Sequence, residues 1–417
     1  MSVFTSKNFA SAAASGADWR DASKAVLEQL ESIRTEQDGF NFGFLYISDM
    51  LADFAPSILN LFRSVTRIDH WVGSVGMGVI GSGQAFVNQP AISALIGRFP
   101  DDEFCVFPDT QDESHDPFSE EAVPLSQASV KNWLSTHTPM LVCVHADPMA
   151  DDDPMAVLAE LESLSSGFIV GGLTSSRSYH YQFANTVCEN AVSGVFFSDK
   201  IPVATSISQG CQPISEFHTI TKASGTTVYE LNEVNALRML IQDLKSHGTD
   251  LTTPLPLPNL NEMASSDDVP EELLPLFSGH VHVALSISQS DQKDYLVRNI
   301  MGIDPGEESV IISQTVSTGD SLLFVRRTDE TVLDDLSKSL GALKQRIESE
   351  HGRFEPKAGL FISCIARGFS ETSETAQREM DLVRSAVGDI PLSGFYAGGE
   401  ISNARLYGYT GLLILFL

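Results

Sequence analysis

The sequence predicts a mixed α/β fold: two domains with internal, partly antiparallel β-sheets flanked by helices, built on an internal duplication of a βαβ-like unit. Three observations predict it. Short apolar runs alternate with amphipathic helical stretches. The string Gly-Phe-x-x-Gly-Gly stands at residues 167–172 and again at 394–399. The chain has 417 residues and 42% apolar content, too long for one ordinary core and rich enough to bury two or three.

Each element follows from its residues. The first repeat has the strand-like run Phe42-Gly43-Phe44-Leu45-Tyr46-Ile47, a helical stretch over 58–63, and the glycine-rich segment Trp71-Val72-Gly73-Ser74-Val75-Gly76-Met77-Gly78. The second has the run 140–145, then Asp151-Asp152-Asp153-Pro154, an acidic start with proline that suits the first turn of a helix. Val157, Leu158, Leu161 and Leu164 space one buried face, and the first glycine string follows. Short strands are then expected over 192–197, 203–207, 217–222 and 226–229, and a helix over 234–244 with Leu237, Leu240, Ile241 and Leu244 on its apolar side. Five prolines among Ser265, Ser266, Asp267 and Asp268 make 247–275 a loop or hinge-proximal insertion. Strands over 280–288, 294–300, 309–314 and 321–326 precede a helix carried by Val332, Leu333, Leu336, Leu340, Leu343 and Ile347. The third repeat has the strand 359–365, a helix with Ala376, Met380, Leu382, Val383 and Val387 inward, and the second glycine string; 412–417 is a final strand. Cys143 and Cys364 fall at matching places in the second and third repeats and read as buried small hydrophobes. The domain boundary is placed between 225 and 226, giving domains 1–225 and 226–417.

Composition narrows the function. Lys plus Arg number 26 against 55 Asp plus Glu, a formal charge of -29 that repels nucleic acid and anionic lipid. The acidic stretches 101–121 and 147–153 lack the turn glycine of a calcium loop and read as solvated loops. Five cysteines without a C-x-x-C pair argue against a disulfide framework. There is no long apolar h-region near the start and no run of about 20 apolar residues, so a soluble, cytoplasmic protein is expected.

Motifs for chemistry are sparse. Residues 76–81 match G-x-G-x-x-G with Asp101 downstream, but no helical periodicity begins at the third glycine, so a strand end is expected rather than a dinucleotide site. Cys211 sits in a turn between Gly210 and Pro213, with His218 its nearest histidine; it is the candidate nucleophile of a hydrolase alternative. No G-x-S-x-G or H-E-x-x-H appears, and a non-enzyme is expected. No metal or cofactor is expected either. His145, His180, His218, His280 and His282 leave haem as an alternative, without a C-x-x-C-H attachment.

Several strings together resemble FIST proteins in order and spacing: residues 204–214 with the Tyr229-to-Leu237 segment, then 295–304, 319–326, 394–401 and the closing Tyr409-Thr410 strand. The resemblance runs from about Asp18 onward and implies a stand-alone pair of FIST N-like and FIST C-like domains. It also implies an intracellular sensory module that binds a small polar ligand, an amino acid among the options, and signals to a partner protein. The alternatives are a haem-binding nitric-oxide sensor and a ligand-free interaction scaffold. A zwitterionic ligand needs a fork-shaped cation or backbone amides for its carboxylate and a carboxylate for its ammonium. The candidate ligand residues are therefore Arg298, with Asn299 beside it, Arg326 and Glu400, the glycine pairs Gly171, Gly172, Gly398 and Gly399, and the hydroxyls of Thr174 and Ser175 as a polar rim. The cleft is expected between the two domains, with Arg298 and Arg326 in strands neighbouring Glu400.

Overall fold

A computed structural model describes residues 4–6, 8–34, 39–81, 83–108, 128–246, 280–287, 295–304, 306–368 and 374–417. The chain forms two compact units, Met1–Gln209 with Asp335–Leu417, and Gly210–Asp334.

In the first unit, strands that are apolar on both faces sit in the middle of three sheets. Sheet one runs β1 (Phe4–Ser6), β2 (Phe9–Ser15), β7 (Ala91–Gly97), β3 (Phe42–Ser48), β4 (His70–Gly76), β11 (Gln182–Ala184), β12 (Thr186–Cys188). Sheet two runs β26 (Arg405–Tyr407), β25 (Glu400–Ser402), β10 (Phe168–Leu173), β9 (Pro139–Ala146), β13 (Val192–Ser198), β8 (Phe104–Phe107). Sheet three runs β14 (Val203–Ser208), β27 (Gly411–Phe416), β23 (Ala358–Cys364), β24 (Leu392–Ala397), β5 (Gly78–Gly81), β6 (Gln84–Val87). Each holds one parallel pair, β3–β4, β9–β10 and β23–β24, with antiparallel neighbours on both sides.

The sheets turn one face to a shared core in which Phe44, Tyr46, Cys143, Val170, Ile362 and Phe395 are buried together. Helices cover the other faces: α1 (Trp19–Arg34) and α2 (Ala55–Thr66) on sheet one, α3 (Ala128–Thr136) and α4 (Pro154–Leu164) on sheet two. On sheet three lie α6 (Asp329–His351) and α8 (Glu374–Val387), the latter preceded by the short α7 (Ile365–Gly368). The local signals are those of the sequence. Asp153 caps α4 by accepting from the Met155 N–H, with Pro154 at its first position. The α6 side chains expected to face inward, Val332, Leu333, Leu336, Leu340, Leu343 and Ile347, are all buried.

After the second strand of each parallel pair the chain leaves its own sheet. The hairpin β5–β6, which follows β4, pairs with β24 of sheet three. The hairpin β11–β12, which comes after β10, pairs with β4 of sheet one, and β25–β26, after β24, pairs with β10 of sheet two. The three repeats are thus interlocked by a cyclic exchange of hairpins. The run 76–81 ends one strand and forms the next, so no helix opens at its third glycine.

Register fixes which residues correspond. Gly73 lies between Leu45 and Phe183, Gly171 between Val144 and Ile401, and Gly394 between Phe361 and Ile80. A Cβ at each would come within 1.8 Å of the carbonyl oxygen of Leu45, Val144 or Phe361, so the same close approach recurs three times. The structural partner of Gly394 is therefore Gly171 and not Gly167. The literal Gly-Phe-x-x-Gly-Gly repeat is out of register with the true one, although the threefold βαβ plan holds. By the same register Cys143 corresponds to Leu360 rather than to Cys364; both cysteines are nonetheless buried.

The second unit is antiparallel throughout, with β15 (Gln212–Pro213), β16 (His218–Ser224), β17 (Thr227–Leu231), β18 (Val234–Asn235), β19 (Val281–Ser286), β20 (Tyr295–Asp304), β21 (Ser309–Ile312) and β22 (Ser321–Arg326). Following β22, β16, β17, β21, β20 and β19 leads back to β22, so the sheet closes on itself and its edges disappear. Inside are Ile220, Val228, Val283 and Phe324, met by Leu237, Leu240 and Leu244 of α5 (Ala236–Ser246). The proline-rich segment 247–275 lies outside the described residues. No described helix is long and apolar enough to cross a membrane.

Candidate functional site

The two glycine-rich strand ends meet within the first unit. Gly172 of β10 is opposite Glu400 of β25, the Leu173 N–H donates to Gly399 O at 2.8 Å, and the Gly398 N–H donates to Leu173 O at 3.0 Å. Gly172 is bare because Ala397 packs over it; a Cβ there would lie 2.8 Å from that of Ala397. Gly171, Gly172 and Gly399 are buried, whereas Gly398 is exposed and marks where these strand ends reach the surface. The hydroxyls expected at a rim are internal ties. Thr174 Oγ1 bonds Ser74 Oγ at 2.8 Å and accepts from Gln182 Nε2 at 3.2 Å. Ser175 Oγ accepts from the Met77 N–H at 2.9 Å and donates to Tyr396 O, which joins all three repeats.

Glu400 is fully buried. Its Oε2 accepts from the Thr410 N–H at 3.1 Å and from Thr410 Oγ1 at 2.6 Å, while Oε1 has no hydrogen-bond partner. The Cys364 thiol also lies beside the carboxyl. Burial pushes the Glu400 carboxyl up to about 8, a rise only partly countered by Thr410, Arg367 and Cys364. At neutral pH it is mostly an uncharged acid.

The nearby cation is Arg367 of α7, wholly buried and paired at 2.7 Å with the equally buried Glu379 of α8. Its remaining donors reach Ser208 O at 2.9 Å and Tyr409 O at 3.3 Å, and Ser363 Oγ donates to Glu379 Oε2 at 3.1 Å. Neither residue was among the sequence candidates. The available signal was position: Arg367 follows the carboxyl end of a parallel strand, where open α/β sheets gather ligand groups.

The expected neighbours of Glu400 are a correction. β25 pairs with β10 and β26, whereas Arg298 and Arg326 belong to β20 and β22 of the second unit, whose strand partners lie in the barrel sheet. Arg298 Nε donates to Gln314 Oε1 at 2.5 Å, and burial lowers its pKa from the usual guanidinium value. The Asn299 N–H donates to Ser313 Oγ at 3.0 Å, and Arg326 is exposed opposite Gln212 and Val281. Cys211, the candidate nucleophile placed in a turn, is buried, and its carbonyl accepts from Tyr295 Oη at 3.1 Å.

Among the histidines, His145 is fully buried with Nε2 3.2 Å from Tyr46 Oη, and burial drives it down to about 3. His218 sits 2.7 Å from Asp243 and receives Asn232 Nδ2 on Nδ1 at 2.9 Å, a tie between α5 and the barrel. Among the described residues Asp102, Glu103 and His137 bring donor atoms within 4.8 Å of one another. Glu103, however, is engaged by Lys200 and Ser198, which hold its carboxyl below the usual range, so the group reads as a salt-bridge cluster.

The FIST N domain profile matches residues 41–234 and the FIST C domain profile residues 260–403. An uncharacterised protein of Mycobacterium tuberculosis is 23% identical over 414 residues, covering 95% of this chain and 97% of its own length. An uncharacterised protein of Mycobacterium bovis is 26% identical over 219 residues, covering 51% of this chain and 50% of its own. Among solved structures, T. maritima PurL complexed with FGAR is 12% identical and covers 99% of this chain and 74% of that one, at a TM-score of 0.23 that bears on nothing further. The chain belongs to the FIST family, as a FIST N domain followed by a FIST C domain, and FIST domains are sensory domains in signal transduction.

Proposed function

We propose that the chain senses a small polar ligand at the strand ends around Gly398, Glu400, Thr410 and Arg367, without catalysing its conversion, and passes the event to a partner protein. The observation that carries this reading is the Oε1 of Glu400, a buried polar atom without a hydrogen bond. It lies close in sequence to Gly398, where the same strand end is exposed. A mostly protonated Glu400 donates rather than attracts a cation, so the favoured ligand presents an acceptor, such as a carboxylate or carbonyl oxygen, to this group. Amino acids are the first class to test. Binding that favours one of two states supplies the signal, and the formal charge of -29 favours a partner with a basic docking face.

The test is thermal shift against a library of polar metabolites with wild type, Glu400→Gln and Arg298→Ala. The expected result is a ligand that raises the wild-type midpoint, an effect abolished by Glu400→Gln and retained by Arg298→Ala. A wild type that no metabolite stabilises, or a ligand whose effect survives Glu400→Gln, rejects this site.

A further inference from the structure

Exposed apolar side chains gather at one end of sheet one. By strand direction β2 and β3 finish, and β11 begins, at that same end. The short 3-10 helix Asp49–Phe54, which follows β3, exposes Met50 and Phe54, and the connection from β10 to β11 exposes Tyr179. Phe54 stacks on the half-buried Trp19 at the start of α1 with ring centres 5.8 Å apart. Tyr179 stacks on Tyr181 at 5.0 Å with the rings within 2° of parallel.

The tyrosine turn is held in place. The Asp49 side chain, only 2% exposed, accepts from Arg177 Nε at 2.7 Å, from Arg177 Nη2 at 2.8 Å and from the Arg177 N–H at 3.1 Å. Ser176 Oγ accepts from the Ser178 N–H at 3.0 Å, and Tyr181 O accepts from the Val75 N–H at 3.0 Å. Burying a carboxylate costs free energy that its partner must offset. Here the buried charge fixes no core strand; it fixes a surface turn whose Tyr181 lies near Asp53. Aromatic side chains set in advance lose little freedom on contact, and Trp, Tyr and Met are enriched where proteins meet.

Charge selects the occupant. Asp53 and Glu189 lie near the Tyr181 phenol, are exposed, and enter no ion pair among the described residues. Arg177 is neutralised by Asp49, and Arg20, between Asp18 and Asp21 in sequence, has its guanidinium 4.6 Å from the centre of the Trp19 ring. Acids therefore exceed free cations on this face, as they do over the chain, 55 to 26. A second copy, an anionic lipid surface and a nucleic acid would each bring like charge to it. A segment with arginine or lysine beside aliphatic side chains matches both of its parts. The cation lies on a tyrosine face next to Asp53 or Glu189, as Arg20 lies on Trp19, and the aliphatic groups cover Met50 and Phe54.

We propose that Trp19, Met50, Phe54, Tyr179 and Tyr181 form the docking face for a basic, aliphatic segment of a partner protein. This rests on the reading that the chain signals to a partner, and does not involve the ligand group at Glu400.

The test selects a random peptide library, displayed on phage, against the immobilised full chain at low salt without added metabolite. Enriched peptides should carry Arg or Lys within a few residues of Leu, Ile or Val. In anisotropy titrations Tyr179→Ala and Phe54→Ser should each weaken them about tenfold or more. Asp53→Lys should weaken them about two- to fivefold, an effect that shrinks with added salt. Met301→Ser, at an exposed position of β20, should bind like wild type. Hydrogen exchange of wild type decides independently of any variant: a bound peptide should protect 49–54 and 174–181, and protection confined to other segments overturns the face. Enrichment of acidic or uncharged peptides, or basic peptides that bind every variant as tightly as wild type, overturns it while leaving the ligand reading intact. A wild type that enriches no peptide overturns it as well. So does a dimer in light scattering that Phe54→Ser dissolves, because a second copy is then the occupant. A wild type that no metabolite stabilises rejects the Glu400 site without touching this face.

Discussion

A carbonyl oxygen that points at a neighbouring strand leaves no room for a side chain, and Gly73, Gly171 and Gly394 each meet such an oxygen where a Cβ would stand. At Gly73 and Gly171 the backbone also takes φ of 155° and 153°, a region that L side chains rarely adopt. Gly171→Ala should therefore cost about 2–3 kcal/mol of stability, measured as a lower denaturation midpoint. A variant as stable as wild type would show that β9 and β10 separate freely. Glu400 and Arg367 show a different residue-scale effect: the surroundings, not the residue type, decide that one carboxyl stays a neutral acid while a guanidinium three residues after a strand end is fully paired.

At the scale of elements, α4 began where its residues said it would, while α5, expected over 234–244, runs Ala236–Ser246 after the short strand β18. Asp153 accepts from Met155, and Pro154 needs no donor at its place in the first turn. Asp153→Ala should cost about 1 kcal/mol, seen in urea unfolding as a shifted midpoint at unchanged slope. An unchanged midpoint would mean that the first turn of α4 gains nothing from its cap. Several strands were legible as apolar runs: β23 and β27 were expected from residues 359–365 and 412–417 and occur at Ala358–Cys364 and Gly411–Phe416, whereas β2 and β7 were not among the expected strands. Their partners were not legible. β5, β11 and β25 each follow a parallel pair in sequence and hydrogen-bond to another repeat, and nothing local in a strand of three or four residues selects its mate.

For the whole molecule, the sequence division at 225/226 and the compact units answer different questions. The family profiles part the chain between 234 and 260, whereas compactness groups Met1–Gln209 with Asp335–Leu417 and sets Gly210–Asp334 apart. The boundary falls inside α6, whose inward leucines from Leu336 onward belong to the core of sheet three. A closed barrel with its own apolar interior should fold alone. Residues 210–334 expressed by themselves should give a cooperative thermal transition and dispersed amide resonances; a collapsed spectrum would show that this core is incomplete without the rest of the chain.

The sequence by itself determined the mixed α/β class, the threefold βαβ plan, the inward face of α6 and most of those of α5 and α8, because hydrophobic period acts within a few residues, whereas of the four α4 residues expected inward only Leu158 and Leu161 are buried and Leu164 is exposed. Tertiary structure alone decided that the true repeat matches Gly171 with Gly394, that hairpins are exchanged around three sheets, that β16, β17, β19, β20, β21 and β22 close into a barrel, and that Glu400 is grouped with Arg367 and Glu379. The reason is range: strand pairing and buried charge balance depend on residues far apart along the chain, which sequence spacing does not bring together.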